Sequence, residues 1–407
     1  MNTTSAGQRL HIGIYGRRNA GKSSLINALS GHAVALVSPV AGTTTDPVSR
    51  PMELAPLGPV VLIDTAGLDD EGDLGRLRVS RSLEMLDRTD LAIVVVANGV
   101  EVGETEETLI NELKRRGIPA VGAVNKADLN EPAAVAQAAE LTARFGIPFV
   151  PATAAFGAGP GVQLLRQAVI ANAPAGREEV PLVSDLVGPG DVVLLVVPVD
   201  LGAPKGRLIL PQVEAIRDLL DRDAIAMVVK ERELKAALDS LKKPPALVVT
   251  DSQVFLKVDA DVPPEVPLTS FSILMARHKG DLGEMVKGAR AIESLQPGDR
   301  VLIAETCTHH QQADDIGTVK IPRWLRNYVG GDLQIDFAHG REMPANLTDY
   351  KLVIHCGGCM INRQLMMTRI RKAQAVEVPI VNYGVCIAHL HGIMPRAISP
   401  FKDLVGV

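Results

Sequence analysis

The sequence is poor in aromatic residues and in cysteine. Phe, Trp and Tyr make up 3% of the 407 residues, so the hydrophobic cores are predicted to consist mainly of Val, Leu, Ile and Ala. Four cysteines are too few for a disulfide framework in a chain of this length. An excess of positive charge is also lacking, because the formal net charge is -5. Such a chain has no general attraction to nucleic acid or to anionic membranes, and neither is expected as a partner.

Long hydrophobic runs are absent as well. The first ten residues, MNTTSAGQRL, contain no basic region followed by an apolar run, so no secretory signal is predicted. The densest apolar stretch, VVLLVVPV at 192–199, is too short to cross a bilayer and is predicted to be a buried strand. We therefore expect a cytoplasmic protein. With 46% hydrophobic and 22% charged residues, the composition is typical of globular domains.

Alternating apolar runs and helical patterns predict three α/β domains. Residues 1–172 show the rhythm of a mostly parallel sheet with helices on both faces. A stretch rich in Pro, Gly and charge at 172–190 predicts a linker. A small α/β domain with three predicted strands spans 185–262, and a second linker is predicted at 259–269. Four more predicted strands form a third domain at 266–407.

A phosphate-binding loop follows the first predicted strand. The motif GRRNAGKSS at 16–24 has its glycines, lysine and serine at the required spacing, and a helix is predicted to follow. Glycines let backbone N–H groups point at phosphates, and the helix adds its positive N-terminus. Lys22 is expected to reach the β- and γ-phosphates, and Ser23 to ligate Mg²⁺. The predicted nucleotide-binding residues of this loop are Gly16, Asn19, Ala20, Gly21, Lys22, Ser23 and Ser24.

Two further motifs specify the metal and the base. DTAG ends a predicted strand, so that Asp64 can hold Mg²⁺ through water and the Gly67 N–H can face the γ-phosphate. NKAD also ends a strand, and Asp128 can accept both hydrogens of the guanine N1 and N2 edge, which adenine does not offer. The predicted base site is completed by Asn125, Lys126 and a backbone N–H near Ala154. These motifs in this order favour GTP over ATP.

The segments GRRNAGKSSLINAL and AGTTTD resemble the TrmE-Era group of small GTPases. The resemblance implies that Thr44 ligates Mg²⁺ and that Asn19 contacts a K⁺ ion that assists hydrolysis; alternatively, Asn19 only shapes the loop. Leu68 stands where Ras-like proteins place the glutamine that orients water. Four acidic residues of the next segment are candidates for that role or belong to a solvated loop: Asp69, Asp70, Glu71 and Asp73. We assign no catalytic base and expect slow hydrolysis with a switching role.

Cysteine and histidine cluster in the last quarter of the chain. Cys307 in CTHH, and Cys356 and Cys359 in HCGGCM, follow predicted strands. Ligands bind outside the carboxyl ends of strands in open α/β sheets, so the three thiols are predicted to converge. Zinc held with one histidine and a [4Fe-4S] cluster held by three cysteines both fit, and a site of reduced thiols without metal is the third alternative. His309, His310 and His355 are candidates for a fourth ligand or for lining the site. Cys386 also follows a predicted strand but, as a single cysteine with apolar neighbours, is predicted to be a core residue, and His389 and His391 are predicted to be structural.

The GTPase motifs combined with CTH, HCGGC and NYGV resemble the [FeFe]-hydrogenase maturation GTPase (HydF) family. The resemblance implies a [4Fe-4S] cluster on Cys307, Cys356 and Cys359, with His309 or His355 as a candidate fourth ligand or as site lining. It also implies a scaffold that carries a di-iron precursor to apo-[FeFe]-hydrogenase, with radical-SAM maturases as further partners. The implied fold class is α/β: a P-loop GTPase domain, a small α/β dimerisation domain that forms a homodimer, and an α/β cluster-binding domain.

Two other functions are compatible with the residues. One is a zinc-containing TrmE-Era-type GTPase in tRNA modification or ribosome assembly, although no basic tail or basic–aromatic surface is evident. The other is a redox protein that uses the cluster for electron transfer.

Overall fold

A computed structural model describes residues 6–31, 48–67, 82–155, 159–174, 180–198, 208–306, 314–340 and 342–405. The chain divides into two compact units, residues 1–177 and 178–407. Among the described residues, no helix combines the length and apolar character needed to cross a membrane.

The first unit is built on a six-stranded sheet in the order β2-β3-β1-β4-β5-β6. Its strands are β1 (Leu10–Gly16), β2 (Val48–Leu54), β3 (Gly58–Asp64), β4 (Leu91–Ala97), β5 (Ala120–Asn125) and β6 (Phe149–Pro151). All neighbours are parallel except β2, which pairs antiparallel with β3 at the edge. The helices are α1 (Lys22–Ser30), α2 (Glu104–Arg115), α3 (Glu131–Phe145) and α4 (Pro160–Asn172).

The central strands of this sheet are buried on both faces, as their continuous apolar sequences predict. One face packs a core that includes Ile12, Leu25 and Leu165, and the other packs Leu113 and Leu141. The carboxyl ends of β1, β3 and β5 carry GRRNAGKSS, DTAG and NKAD, which places the three nucleotide motifs at one edge of the sheet.

The second unit contains two parallel four-stranded sheets. The first has the order β10-β9-β7-β8, from β7 (Val192–Val196), β8 (Ile225–Val229), β9 (Leu247–Thr250) and β10 (Leu268–Ser270). The second has the order β12-β11-β13-β14, from β11 (Arg300–Glu305), β12 (Gln334–His339), β13 (Leu352–His355) and β14 (Ile380–Asn382).

Helices cover both sheets of the second unit. They are α5 (Leu210–Leu220), α6 (Leu234–Ser240), α7 (Phe255–Asp261), α8 (Phe271–Lys279), α9 (Leu282–Arg290), α10 (Ile321–Val329), α11 (Arg363–Ala375), α12 (Tyr383–Leu390), α13 (Met394–Ala397) and α14 (Lys402–Val405). A π-helical turn, Ile316–Lys320, leads into α10. A single apolar core runs from Leu182 to Phe401 and joins the two sheets.

The second linker, predicted at 259–269, is wrong. Val262 and Val266 are buried in the core, and β10 is an edge strand of the first sheet. The guanidinium of Arg396 donates hydrogen bonds to the carbonyl oxygens of Val262 and Pro263 and so fixes the backbone of this segment. The division predicted between 262 and 266 therefore falls inside a folded sheet rather than between two domains.

Candidate functional site

The loop between β1 and α1 has the backbone of a phosphate-binding loop. Gly16, Asn19 and Gly21 have φ values of 151°, 60° and 92°. A side chain at Gly16 would bring its Cβ to 2.2 Å from the Val95 carbonyl oxygen, and one at Gly21 to 2.1 Å from Asn125 Nδ2. Both positions therefore require glycine. Asparagine tolerates a left-handed backbone better than most residues, which accounts for the loop-shaping role of Asn19; its contact with K⁺ stays a prediction.

Lys22 and Ser23, the first residues of α1, both bind groups of neighbouring elements. Lys22 is buried, and its Nζ donates hydrogen bonds to the carbonyl oxygens of Gly16 and Arg17, both at 2.9 Å. Ser23 Oγ donates to Asp64 Oδ2 at 2.8 Å, so that two oxygen groups of the kind Mg²⁺ prefers meet from separate elements. Burial raises the pKa of Asp64, and the hydrogen bond from Ser23 and the charge of Lys22 oppose that rise.

The base-recognition motif is tied to the phosphate loop. Asn125 ends β5 with 2% exposure, and its Nδ2 donates to the Ala20 carbonyl oxygen at 2.9 Å. Lys126 has a left-handed backbone, with φ 61°, which turns the chain out of the strand. Asp128 is exposed, so its carboxylate can receive the edge of a base. Ala154 follows β6 and packs against the core. The four predicted base-site residues thus share one edge of the sheet.

The DTAG segment packs directly on the phosphate loop. Thr65 Oγ1 donates to the Ile14 carbonyl oxygen at 2.6 Å. A side chain on Gly67 would bring its Cβ to 3.0 Å from the backbone nitrogen of Arg18, so the close approach of the two loops needs glycine. Thr44 and the four acidic candidates for orienting water lie outside the described residues.

The second site lies at the carboxyl edge of the sheet formed by β11 to β14. Cys356 follows β13, and its N–H donates to the Ala304 carbonyl oxygen at 2.9 Å on β11. Its Sγ lies 3.3 Å from the Thr306 nitrogen and 3.2 Å from Thr306 Oγ1. Burial raises the pKa of Cys356, and the two hydrogen bonds from Thr306 lower it. Thr306 immediately precedes Cys307, which lies outside the described residues, as do His309 and His310.

Cys359 belongs to the same loop, shortly before α11 begins. Cys356 and Cys359 are both partly exposed as whole residues. Gly358, with φ 63°, turns the backbone between them, and a side chain there would bring its Cβ to 2.4 Å from Met366 Cε. The Asn362 side chain caps α11 by accepting from the Leu365 nitrogen at 3.3 Å. No group of three metal-binding side chains comes together within the described part of the chain, which contains only two of the three predicted cysteine ligands.

His355 is held by protein groups on both ring nitrogens. Its Nε2 lies 2.7 Å from Arg369 Nη1, and its Nδ1 lies 2.6 Å from the Cys356 carbonyl oxygen. A guanidinium only donates and a carbonyl only accepts, so Nδ1 carries the proton. Burial, and then the charge of Arg369, lower the pKa of His355 to about 3. Of the two roles predicted for His355, this geometry favours lining the site over metal ligation.

A buried carboxylate adjoins the cysteine edge, and sequence patterns did not assign it a role. Glu305 ends β11 with 2% exposure. Its Oε1 accepts from the Tyr383 hydroxyl at 2.9 Å, and its Oε2 lies 3.2 Å from His339 Nδ1. A side chain on Gly317 would bring its Cβ to 2.3 Å from both Glu305 Oε1 and the Tyr383 hydroxyl. The sequence could have indicated these two residues only by their positions next to known motifs: Glu305 stands just before Thr306 and Cys307, and Tyr383 belongs to NYGV.

Cys386 is a core residue, as predicted. It is fully buried in α12, and burial raises its pKa to about 12. His391 and His389 make packing contacts: the ring of His391 meets Trp324 edge-on at 4.8 Å, and His389 lies beside Tyr328. All three therefore belong to the packing around the sheet.

Three family models match consecutive parts of the chain. They are the 50S ribosome-binding GTPase at residues 11–126, the Hydrogen maturase F dimerization domain at 182–280 and the Hydrogen maturase F tetramerization domain at 283–400.

Curated relatives match the GTPase class. The tRNA modification GTPase MnmE of Burkholderia thailandensis is 34% identical over 177 residues, which are 42% of this chain and 37% of the relative. The MnmE of Paraburkholderia xenovorans is 34% identical over 176 residues, with the same shares. The chain thus spans little more than a third of the length of these relatives.

Among solved structures, Era of Aquifex aeolicus bound to GDP.AlF4- is 21% identical, with a TM-score of 0.37 over 54% of this chain and 93% of that chain. The G domain of T. maritima FeoB is 22% identical, with a TM-score of 0.30 over 41% of this chain and 99% of that chain.

The phosphate loop, the DTAG segment packed on it and the NKAD loop tied to it define a P-loop GTPase domain, which precedes two domains with parallel sheets. The class is therefore a multidomain α/β protein with an N-terminal GTPase domain. The two maturase models together cover more than half of the chain in consecutive order. The chain belongs to the hydrogen maturase F family and contains the regions that match its dimerization and tetramerization domains.

Proposed function

We propose that the chain is a GTP-hydrolysing scaffold of hydrogenase maturation. It binds a [4Fe-4S] cluster and assembles or delivers the di-iron subcluster precursor to apo-[FeFe]-hydrogenase. Its partners are that hydrogenase, the radical-SAM maturases and a second copy of the chain in a homodimer. The observation that carries the proposal is the pair of hydrogen bonds between Thr306 and Cys356 Sγ, because they bring the residue before Cys307 against the thiol of the HCGGC loop.

The donor set fits an iron–sulfur cluster. Cys356 and Cys359 are partly exposed, and hydrogen bonds to sulfur are one of the means by which proteins tune such clusters. Cys307 supplies the third thiolate in this proposal. Because both nitrogens of His355 are engaged, the fourth iron is left for His309 or an exchangeable ligand. The bound cluster supplies the attachment point for the di-iron cargo.

The GTPase domain regulates loading or handover of the cargo in this proposal. Ser23 and Thr44 ligate Mg²⁺, Asp64 holds it through water, and Asn19 contacts K⁺. Hydrolysis is slow, because Leu68 stands at the position of the water-orienting glutamine of Ras-like proteins.

Electron paramagnetic resonance tests the proposal directly. The full chain is purified and reconstituted with iron and sulfide without oxygen, then reduced with dithionite. We expect a low-spin S = 1/2 cluster signal that is lost in Cys356→Ala. The matched control is Cys386→Ser, which alters a buried cysteine outside the proposed ligand set and leaves the signal in place. A silent protein that contains stoichiometric zinc would contradict the proposal.

A second candidate function rests on the MnmE relatives. A zinc-containing GTPase of the TrmE-Era type in tRNA modification or ribosome assembly is favoured by the 34% identity to a tRNA modification GTPase. That identity extends over 42% of the chain, whereas the maturase models cover the rest of it more fully. Zinc together with RNA that remains bound through purification would support this candidate over the first.

A further inference from the structure

The helix α8 lies at the centre of the second unit. Seven of its nine residues are buried, so it has almost no solvent face. It packs against α5, which covers the first sheet, and against α11 and α12, which cover the second sheet. Since interiors are close-packed, a helix enclosed in this way moves only with its neighbours.

Two residues at the C-terminal end of α8 hold the segment that arrives from the GTPase unit. The guanidinium of Arg277 is 5% exposed and lies 2.6 Å and 2.9 Å from the two carboxylate oxygens of Asp185. It also donates to the Leu182 carbonyl oxygen at 3.2 Å. His278 Nδ1 lies 2.6 Å from the carbonyl oxygen of Val180, which is the first described residue after 175–179.

The next residue of α8 holds the cysteine loop. Lys279 is 2% exposed, and its Nζ donates to the Cys359 carbonyl oxygen at 2.8 Å and to the Ile361 carbonyl oxygen at 3.1 Å. A buried ammonium is stable only where oxygen atoms solvate it, so these carbonyls are held at defined positions. From the loop side, Arg363 Nη1 donates to the His278 carbonyl oxygen at 3.0 Å, which ties the start of α11 back to the same turn.

We infer that Lys279 is a positioning residue for Cys359, and that the turn Arg277–His278–Lys279 transmits displacement of residues 180–185 to the cysteine loop. Consecutive residues of one helical turn bind the two segments, so a shift of one segment strains or moves the other. The inference rests on the proposed function, in which nucleotide state regulates handover.

The positioning role is tested by thiol alkylation of the full chain without a cluster. Iodoacetamide labelling is followed by mass spectrometry at each cysteine. We expect Lys279→Met to raise the labelling rate of Cys359 about tenfold, because two charge-assisted hydrogen bonds are lost. In Lys279→Arg, which can still donate to these carbonyls, the labelling rate should stay close to that of the native chain. The matched control, Lys235→Met, removes an exposed lysine and leaves the rate unchanged. A Lys279→Met rate equal to that of the native chain would overturn the positioning role.

Transmission is tested by comparing GDP with a non-hydrolysable GTP analogue. We expect the Cys359 labelling rate of the native chain to differ severalfold between the two nucleotides, because the segment that α8 holds is covalently continuous with the GTPase unit. The difference should shrink in His278→Ala, although Arg277 still holds Asp185 and Leu182, and should persist in full in His278→Gln, whose amide can still donate to the Val180 carbonyl. No nucleotide effect in the native chain, or an effect of full size in His278→Ala, would overturn the transmission.

A cluster readout separates the inference from the proposed function. In the reconstituted protein, Lys279→Met should lower the midpoint potential of the cluster and Lys279→Arg should leave it near the native value, because net charge sets that potential. Failure of the native chain to assemble any cluster would contradict the proposed function alone, since the alkylation results still decide the role of Lys279.

Discussion

Guanine selection is predicted to depend on one exposed carboxylate. Asp128 follows the anchored Asn125, and its two acceptor oxygens are expected to receive the N1 and N2 hydrogens of guanine. In Asp128→Asn one acceptor becomes a donor, so GTP affinity should fall at least about tenfold. Xanthine nucleotides, which carry a carbonyl at C2, should bind better than GTP. Titration calorimetry with both nucleotides measures the change.

The control for this prediction is Asp221→Asn, an equivalent change at an exposed site in the second unit, which should leave both affinities unaltered. Unchanged preference for GTP in Asp128→Asn would show that the base is recognised elsewhere.

His355 should make the stability of the protein depend on pH. Its pKa is lowered from 6.5 to about 3 on folding, first by burial and then by Arg369. Between these values the unfolded chain binds a proton that the folded chain does not, so stability is lost as the pH falls from about 6.5 toward 3. In His355→Gln, which does not titrate, the thermal midpoint should fall less steeply over that range. Parallel slopes in the two proteins would contradict the neutral, buried state of this ring.

At the scale of elements, an ion pair joins the phosphate loop to α2. Arg17 Nε lies 2.6 Å from Glu106 Oε1, and Arg17 Nη2 donates to Glu106 Oε2 at 2.9 Å. Glu106 is 2% exposed and also accepts from the Gly103 nitrogen at 3.2 Å. The pair therefore fixes one side of the phosphate loop to the start of a helix.

Glu106→Gln should loosen this connection. A hydrogen bond to a charged group contributes about 1–3 kcal/mol of stabilisation, which the uncharged glutamine would largely remove. The loss is smaller to the extent that solvent screens Arg17. Labelled GDP should dissociate faster from the variant in stopped-flow measurements. Glu107→Gln is the matched control, because the adjacent Glu107 pairs with Arg144 at the surface. Equal release rates in both variants would mean that the pair does not hold the loop.

Sequence patterns predict an element well where it is buried on both faces. Strands β1, β4 and β5 are continuous apolar runs of the kind from which a mostly parallel sheet was predicted for residues 1–172. Strand β2 was missed because VSRPMEL is an edge strand with mostly exposed residues and an internal proline. The prolines at 259–269 indicated a linker, although tertiary contacts bury that segment.

The two sites differ in how far the sequence reveals them. The nucleotide motifs are local and stand in a fixed order, so their common edge follows from a parallel sheet. The surroundings of the cysteine loop depend on distant partners: Lys279 is 80 residues from Cys359, and Glu305 is 78 residues from Tyr383. Such pairs carry no local periodicity, and only the packed fold brings them together.

At the scale of the whole molecule, β8 offers an edge for association. Ile225 and Val228 are 50% and 43% exposed on this edge strand, and α5, which packs on it, exposes Val213 and Leu220. An edge strand has unpaired N–H and C=O groups that can pair with a second copy. The Hydrogen maturase F dimerization domain at 182–280 includes all of these residues.

Ile225→Glu should therefore reduce the molar mass of the oligomer in light scattering, because it places a charge on an apolar edge. The control is Leu256→Glu, also at a residue with 50% exposure but on α7. An unaltered mass in Ile225→Glu would place the association surface elsewhere.

The continuous core of the second unit has a consequence for how the family can diversify. The two maturase models meet between residues 280 and 283, directly after α8, yet the buried side chains of that helix belong to both sheets at once. Genetic recombination at this junction would join a dimerization domain and a tetramerization domain from different proteins. Their large apolar faces would then not be complementary. We therefore expect the two maturase domains to be exchangeable only as a pair, because the buried side chains of α8 belong to a core shared by both sheets.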